Sequence, residues 1–223
     1  MIGLMMMNKV VMIENYLDEL FPEPKCELNY SKDYELLIAI VLSAQTTDKR
    51  VNSVTPKLFL KYDTLEKLMN ADIHDIESIL RPLGSFRKKA SYVKEIARIL
   101  FLDYDGKVPI RRKNLEAMPG VGRKTVNVFL GEFYNIPAIA VDTHVERVSK
   151  RLGLAKDKDN VREVEEKLKR AFKRDVWAKR HLQLVLFGRY HCKAISPNCD
   201  DCKLKNICKY EKRGSLSNSV GRQ

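Results

Sequence analysis

The turn Pro119-Gly120-Val121-Gly122 limits what this chain can become more than any other segment. Helical patterns flank it, from Asn114 to Met118 and from Arg123 to Phe133, so the chain has to double back within a few residues. Proline ends the first helix, and both glycines allow a positive φ and a close approach of bare backbone to another group. The following helix opens with amides that have no partner inside it and with the positive end of its dipole, which together make an anion site. An isolated Gly-x-Gly is usually only a turn. Its place between two helical patterns makes this one the turn of a helical hairpin, and a ligand-binding role for it depends on what accompanies it elsewhere in the chain.

Helical periodicity runs through the rest of the chain. Val11, Ile13, Tyr16, Leu17 and Leu20 share one face before Pro22 and Pro24 close that segment. Ser31 is expected to cap a second helix, whose stretch from Leu36 to Leu42 is apolar on every side and so belongs in a core. Further helices are expected over Asp48 to Lys61, Leu65 to Asn70, Asp75 to Leu80 and Arg87 to Leu102, the last followed by the turn Asp105-Gly106. Pro137 to Val141 has a strand's composition but no alternating partner elsewhere, which makes it an extended connector. Asp142 then caps a helix reaching Leu152, and helices from Asn160 to Phe172 and from Val176 to Tyr190 follow. The fold expected is all-α. A chain of 223 residues suits two small lobes or one large core, and residues 211–223, rich in Ser, Lys and Arg, are expected to be disordered.

Five cysteines are present, four of them within the last 32 residues, a distribution that points to metal ligands rather than a disulfide framework. Cys192, Cys199, Cys202 and Cys208 are spaced C-x6-C-x2-C-x5-C. Four thiolates suit either zinc or an iron-sulfur cluster, and the six-residue first gap, unlike the short paired steps of most zinc sites, leans towards iron without deciding the matter. Cys26 stands apart and is expected to be a buried free thiol.

Charge indicates the kind of partner. Lys and Arg number 41 against 29 Asp and Glu, a formal +12 that attracts a polyanion, with nucleic acid first among them. The apolar start Met1 to Met7 is short and has no basic leader, and no apolar run reaches the roughly 18 residues of a membrane span, so a cytoplasmic chain without a membrane segment is expected.

The segment Leu115-Glu116-Ala117-Met118-Pro119-Gly120-Val121-Gly122-Arg123-Lys124-Thr125 resembles the helix-hairpin-helix of the endonuclease III family of DNA glycosylases. Leu42-Ser43-Ala44-Gln45-Thr46-Thr47-Asp48, Val141-Asp142-Thr143-His144 and Gly188-Arg189-Tyr190-His191-Cys192 resemble that family's segments in the same order and at its spacings, over about residues 10 to 210. The resemblance implies the two-lobed helix-hairpin-helix glycosylase fold. A six-helix lobe would span 26–136, and a second lobe would join 1–25 to 137–210 and end in the cluster loop 192–208, with duplex DNA across the cleft. It also implies a [4Fe-4S] cluster on the four cysteines, flanked by Lys193, Lys203 and Lys205, and a monomer.

The activity implied is base excision repair by a bifunctional enzyme. Such an enzyme removes oxidised or ring-saturated pyrimidines from duplex DNA and cuts 3′ to the abasic site by Schiff-base β-elimination. Lys124 matches the family's lysine that attacks the sugar carbon. Its place at the start of the post-hairpin helix brings it within reach of a sugar if the hairpin holds a phosphate, and desolvation in a cleft beside Arg123 would favour the neutral amine. Asp142, 18 residues on, matches the aspartate that stabilises developing positive charge, with a helix cap as its structural alternative. Gly120, Val121, Gly122, Arg123 and Thr125 would contact DNA, as would His144, whose structural alternative is bracing Asp142. Gln45 would fill the void left by a flipped base. Ser85 stands after Leu83-Gly84 where bacterial members usually carry an apolar wedge, which leaves lesion preference open. Two rival functions remain: a monofunctional adenine or thymine mismatch glycosylase, relatives of which usually lack a lysine at Lys124's position, and a non-catalytic DNA-binding iron-sulfur protein.

Overall fold

The structure is a computed structural model that describes residues 2–210, and among them every regular element is a helix. The tail expected to be disordered lies outside the described residues. In chain order the α-helices are α1 (Ile2–Leu20), α2 (Asp33–Leu42), α3 (Asp48–Asn52), α4 (Thr55–Lys61), α5 (Leu65–Asn70), α6 (Ile73–Leu80), α7 (Phe86–Asp103), α8 (Arg112–Glu116), α9 (Arg123–Tyr134), α10 (Thr143–Arg151), α11 (Val161–Ala171) and α12 (Trp177–Leu186). They fall into two compact units, one formed by Cys26–Asn135 and the other by the segments up to Lys25 and from Ile136 onward. No helix of the described residues is long and apolar enough to cross a membrane.

In the first of these units α2 is the central element. Leu36, Leu37, Ile38, Ala39 and Leu42 have no exposed surface, as an all-round apolar helix requires. Its cap is Lys32, one residue after the expected Ser31. The reason is Glu35, whose carboxylate accepts from the backbone amides of both Ser31 and Lys32 and from the Ser31 hydroxyl, so the serine serves the glutamate instead of the helix start. The single helix expected from Asp48 to Lys61 is split into α3 and α4. Pro56 explains the break: within a continuous helix its ring would clash with the carbonyl of Asn52, whereas in the first turn of α4 it is tolerated. At α6 the start lies at Ile73, not Asp75, because the Asp72 side chain accepts from the amide of His74 at 2.8 Å. Cys26 is half-buried, not buried, and is in no disulfide.

The other unit is built on α1, α10, α11 and α12, with Ile13, Leu17, Val145, Val148, Val164, Leu168 and Leu184 fully enclosed. The segment from Pro137 to Val141 forms neither helix nor strand, and its Ala138, Ile139, Ala140 and Val141 are buried. A helix expected to continue to Tyr190 changes at Phe187 into a π-helical turn, Phe187–His191. One ion-pair network joins α1 to α12. Arg180, buried, donates to Asp18 at 2.7 and 3.0 Å and to Glu14 at 3.2 Å, and Gln183 beside it donates to Asp18 and to the carbonyls of Leu17 and Phe21. The Arg180 hydrogen bond, with help from Lys179, holds the Asp18 carboxyl well below the usual carboxylate range.

A carboxyl held down by folding contributes stability that is fully present above its unfolded value, about pH 4, and is lost as the pH falls towards the folded value. Asp18→Asn should therefore lower stability at pH 7 by about 1 kcal/mol, a figure already reduced for the aspartate's partial exposure. The gap to wild type should persist down to about pH 4 and narrow as the pH falls further towards the folded value. Urea midpoints at pH 7 and pH 3 measure this, and equal midpoints at pH 7 would show that the network contributes nothing.

Candidate functional site

The hairpin forms where its sequence suggests, although its first helix runs over Arg112–Glu116 instead of Asn114 to Met118 and its two glycines differ. The amide of Met118 bonds to the carbonyl of Leu115, and that of Val121 to Met118. Gly120 has φ +74, and a Cβ there would lie 2.6 Å from Cδ2 of Tyr92 and 3.0 Å from Cγ1 of Val41, so both angle and space demand glycine. Gly122 differs: its φ of −106 and ψ of −179 are extended backbone open to any residue, and a Cβ there would meet nothing within 4 Å. The expected need for positive φ at both glycines thus holds only at Gly120. As the residue before α9, Gly122 has no side chain with which to cap the helix, so no side chain competes for its first amides. Gly120, Gly122, Arg123 and Lys124 are exposed and Thr125 is half-buried, but Val121 is buried and can offer a ligand only its backbone. On the inner side of the hairpin Arg112 bonds to Glu116 at 3.1 Å and to the buried Asn127 at 2.5 Å, fastening α8 to α9.

Gln45 follows α2 on an exposed loop with φ +55, a left-handed conformation that few non-glycine residues adopt. Ser85, before α7, has the same φ and is also exposed.

Asp142 belongs to the other unit. It caps α10, its Oδ1 accepting from the amide of Val145 at 2.8 Å, and no other hydrogen bond engages the carboxylate among the described residues. A capping bond fixes the side chain and leaves the second oxygen available. His144 does not hydrogen-bond to Asp142; its Nδ1 lies 3.3 Å from Arg147 Nη2. Gly188 explains part of its place in the Gly188 to Cys192 segment, because a Cβ there would stand 2.9 Å from Cβ of His144 and 3.2 Å from its carbonyl oxygen.

All four cysteines line one pocket, together with Arg151 and His191. None is in a disulfide. Among the described residues no three His, Cys, Asp or Glu side chains converge as ligands of one metal ion. A tetrahedral zinc site with bonds of about 2.3 Å brings its sulfurs within about 4 Å of one another.

A family model, described as the HhH-GPD superfamily of base excision DNA repair proteins, matches residues 38–174. Endonuclease III of Bacillus subtilis is 45% identical over 193 residues, 86% of this chain and 88% of that one. Among solved structures, a trapped endonuclease III–DNA covalent intermediate with an estranged adenine superposes with a TM-score of 0.86 at 44% identity, covering 90% of this chain and 94% of the other. A non-covalent endonuclease III–DNA complex gives 0.90 at 42% identity, covering 94% and 98%. The chain belongs to the endonuclease III family.

Two arginines next to this endonuclease III-type cysteine segment escaped the sequence reading. Arg147 donates to the carbonyl of Gly188 at 2.6 Å and of Cys192 at 3.1 Å. Arg151 approaches Cys192 Sγ at 3.4 Å, donates to the carbonyls of Lys193 and Ala194, and lies over the Tyr210 ring at 4.0 Å. The four-residue interval that puts both on one face of α10 was the available signal. It says nothing of a partner some 40 residues away along the chain.

The two glycines of the hairpin should respond differently to alanine. Gly120→Ala, strained in angle and crowded by Tyr92, should cost at least about 1 kcal/mol and weaken binding to undamaged duplex. Gly122→Ala should stay within about 0.5 kcal/mol of wild type. Thermal unfolding with fluorescence-anisotropy titration measures both, and equal destabilisation of the two variants would contradict the geometry.

Proposed function

We propose that this chain is a bifunctional DNA glycosylase and abasic-site lyase that removes oxidised or ring-saturated pyrimidines from duplex DNA, acting as a monomer in the cytoplasm. The observation that carries the proposal is the exposed Lys124 in the first turn of α9, directly after a hairpin with a close-packed Gly120 and a helix start whose first amides meet no capping side chain. A phosphate held by those amides places a deoxyribose within reach of the amine. Family membership supplies independent support, and so does the trapped covalent DNA complex of a relative 44% identical.

In this reading Gly120, Val121 and Gly122 offer backbone to a phosphate, with Arg123, Thr125 and His144 as further DNA contacts, while Gln45 enters the void left by the flipped nucleotide. Lys124 attacks the sugar carbon that bears the damaged base. The carbon–nitrogen bond breaks, the base leaves with a proton, and the opened sugar becomes an imine of the lysine. Loss of a proton from the adjacent sugar carbon then expels the 3′ phosphate, and water releases the lysine from the product. Asp142, held by its capping bond with one carboxylate oxygen to spare, stabilises the cation that develops on the sugar and moves protons around the amine.

The four cysteines would hold a [4Fe-4S] cluster: all four line one pocket, and four thiolates are the ligand set such a cluster takes. Such a cluster ties together the last segment of the described chain, and Arg151 beside Cys192 would face its negative charge.

Lys124→Ala should lose strand cleavage at an abasic site by about a thousandfold or more while keeping duplex affinity within about threefold. Asp142→Asn should slow both steps by about a hundredfold to ten-thousandfold. Borohydride added to wild type on duplexes bearing thymine glycol or an abasic site should yield a covalent band that is absent on undamaged DNA; no band on any duplex would overturn the proposal. Cys199→Ser should lose the brown visible absorbance and unfold at a lower temperature than wild type.

A further inference from the structure

Lys89 occupies an unusual place for a lysine. It is 5% exposed, and its ammonium donates to Thr46 Oγ1 at 2.7 Å. Burial pushes its pKa below the ordinary lysine value, and no carboxylate takes part in that shift. A buried ammonium whose partner is a neutral hydroxyl is a net cost to the fold, since solvation lost to burial is recovered only in part by one hydrogen bond.

The position of that hydrogen bond gives the cost a purpose. Thr46 directly follows Gln45, and its backbone turns through an amide bond to Ser43 at 3.0 Å. Lys89 lies one helical turn after Ser85, whose carbonyl accepts the Lys89 amide at 3.1 Å. Gln45 and Ser85 are both exposed, and both have the left-handed φ of +55. Two loops with left-handed residues, one after α2 and one before α7, are therefore linked near their bases by the Lys89–Thr46 hydrogen bond. A Cβ added at Gly84, next to Ser85, would meet nothing within 4 Å, so that loop has little packing of its own there.

We propose that Lys89 is a positioning residue for base extrusion: through Thr46 it clamps the Gln45 loop to the Ser85 loop and fixes how the pair meets a duplex. The proposal rests on the reading that Gln45 enters the void. An inserted side chain supports a disrupted stack only if the loop beneath it does not yield, so the clamp acts through Gln45 and touches no reacting atom. Ser85, too short and polar to wedge between bases, increases the share of that task that falls on Gln45.

The test measures single-turnover excision of thymine glycol by Lys89→Met, Thr46→Val, the double variant and Lys89→Arg. Two duplexes are used, one with the lesion opposite adenine and one with it opposite an abasic position, where the pair is already lost and extrusion costs least. Lys89→Met and Thr46→Val should each lose about tenfold or more on the paired duplex, and less than about threefold on the other. The double variant should be no slower than the slower single one, and Lys89→Arg, which can still donate to Thr46, should recover most of the rate. Equal losses on the two duplexes would reduce Lys89 to a support of the fold and overturn the clamp, as would full activity of Thr46→Val. If Lys89→Met does not fold, Thr46→Val, at a half-buried loop position, decides alone. A wild-type protein that does not excise the lesion overturns the functional reading beneath, whereas wild-type excision matched by every variant overturns only the clamp.

Discussion

The contact of Gly120 with Tyr92 and Val41 is the constraint on which the hairpin depends. No side chain fits between that backbone and those two residues, and only a left-handed turn brings the chain back so tightly. Val41 belongs to α2, which is almost wholly buried, and Tyr92 to α7. A core helix with no chemistry of its own thus sets the surface against which α8 turns into α9. The result is a helix start with no capping side chain and an exposed lysine in its first turn. The anion site proposed here would therefore be a product of backbone geometry, which a basic surface elsewhere on the chain would not replace.

In the other unit α10 plays a comparable part. Its first residues are fixed by the Asp142 cap, and Arg147 and Arg151 on the same helix hold the carbonyls of the segment that carries Cys192. Gly188 lets the π-helical turn lie directly against His144. Nine residues therefore join the placement of the aspartate to the organisation of the cysteine pocket. A change in one should be felt at the other through a short rigid element, with no need for a longer route.

What was legible in the sequence was local. The Asp142 cap, the extent of α11 to within one residue at each end, the boundaries of α5 and the all-round burial of α2 each depend on residues within a few positions, where side chain and backbone meet through geometry the chain cannot avoid. The connector from Pro137 to Val141 was legible for the opposite reason, since a strand needs a partner and none was present. Where the reading missed, a competing contact decided. Glu35 took the serine expected to cap α2, and Pro56 cut a helix whose apolar pattern ran on. Gly122 turned out to need openness and not a special angle. Lys89 was the hardest to see, because its burial follows from the packing of α7 against α2 and nothing in its neighbours distinguishes it from the solvated lysines around it.

The assignment of Lys124 as the nucleophile is tested most directly by locating the sugar remnant on the protein. Wild type is reduced with borohydride on an abasic duplex, the DNA is digested, and the peptides are sequenced by mass spectrometry. A deoxyribose-derived mass on Lys124 alone is the result the structure leads one to expect. The same mass on another lysine or on the terminal amine, with Lys124 unmodified, would contradict it.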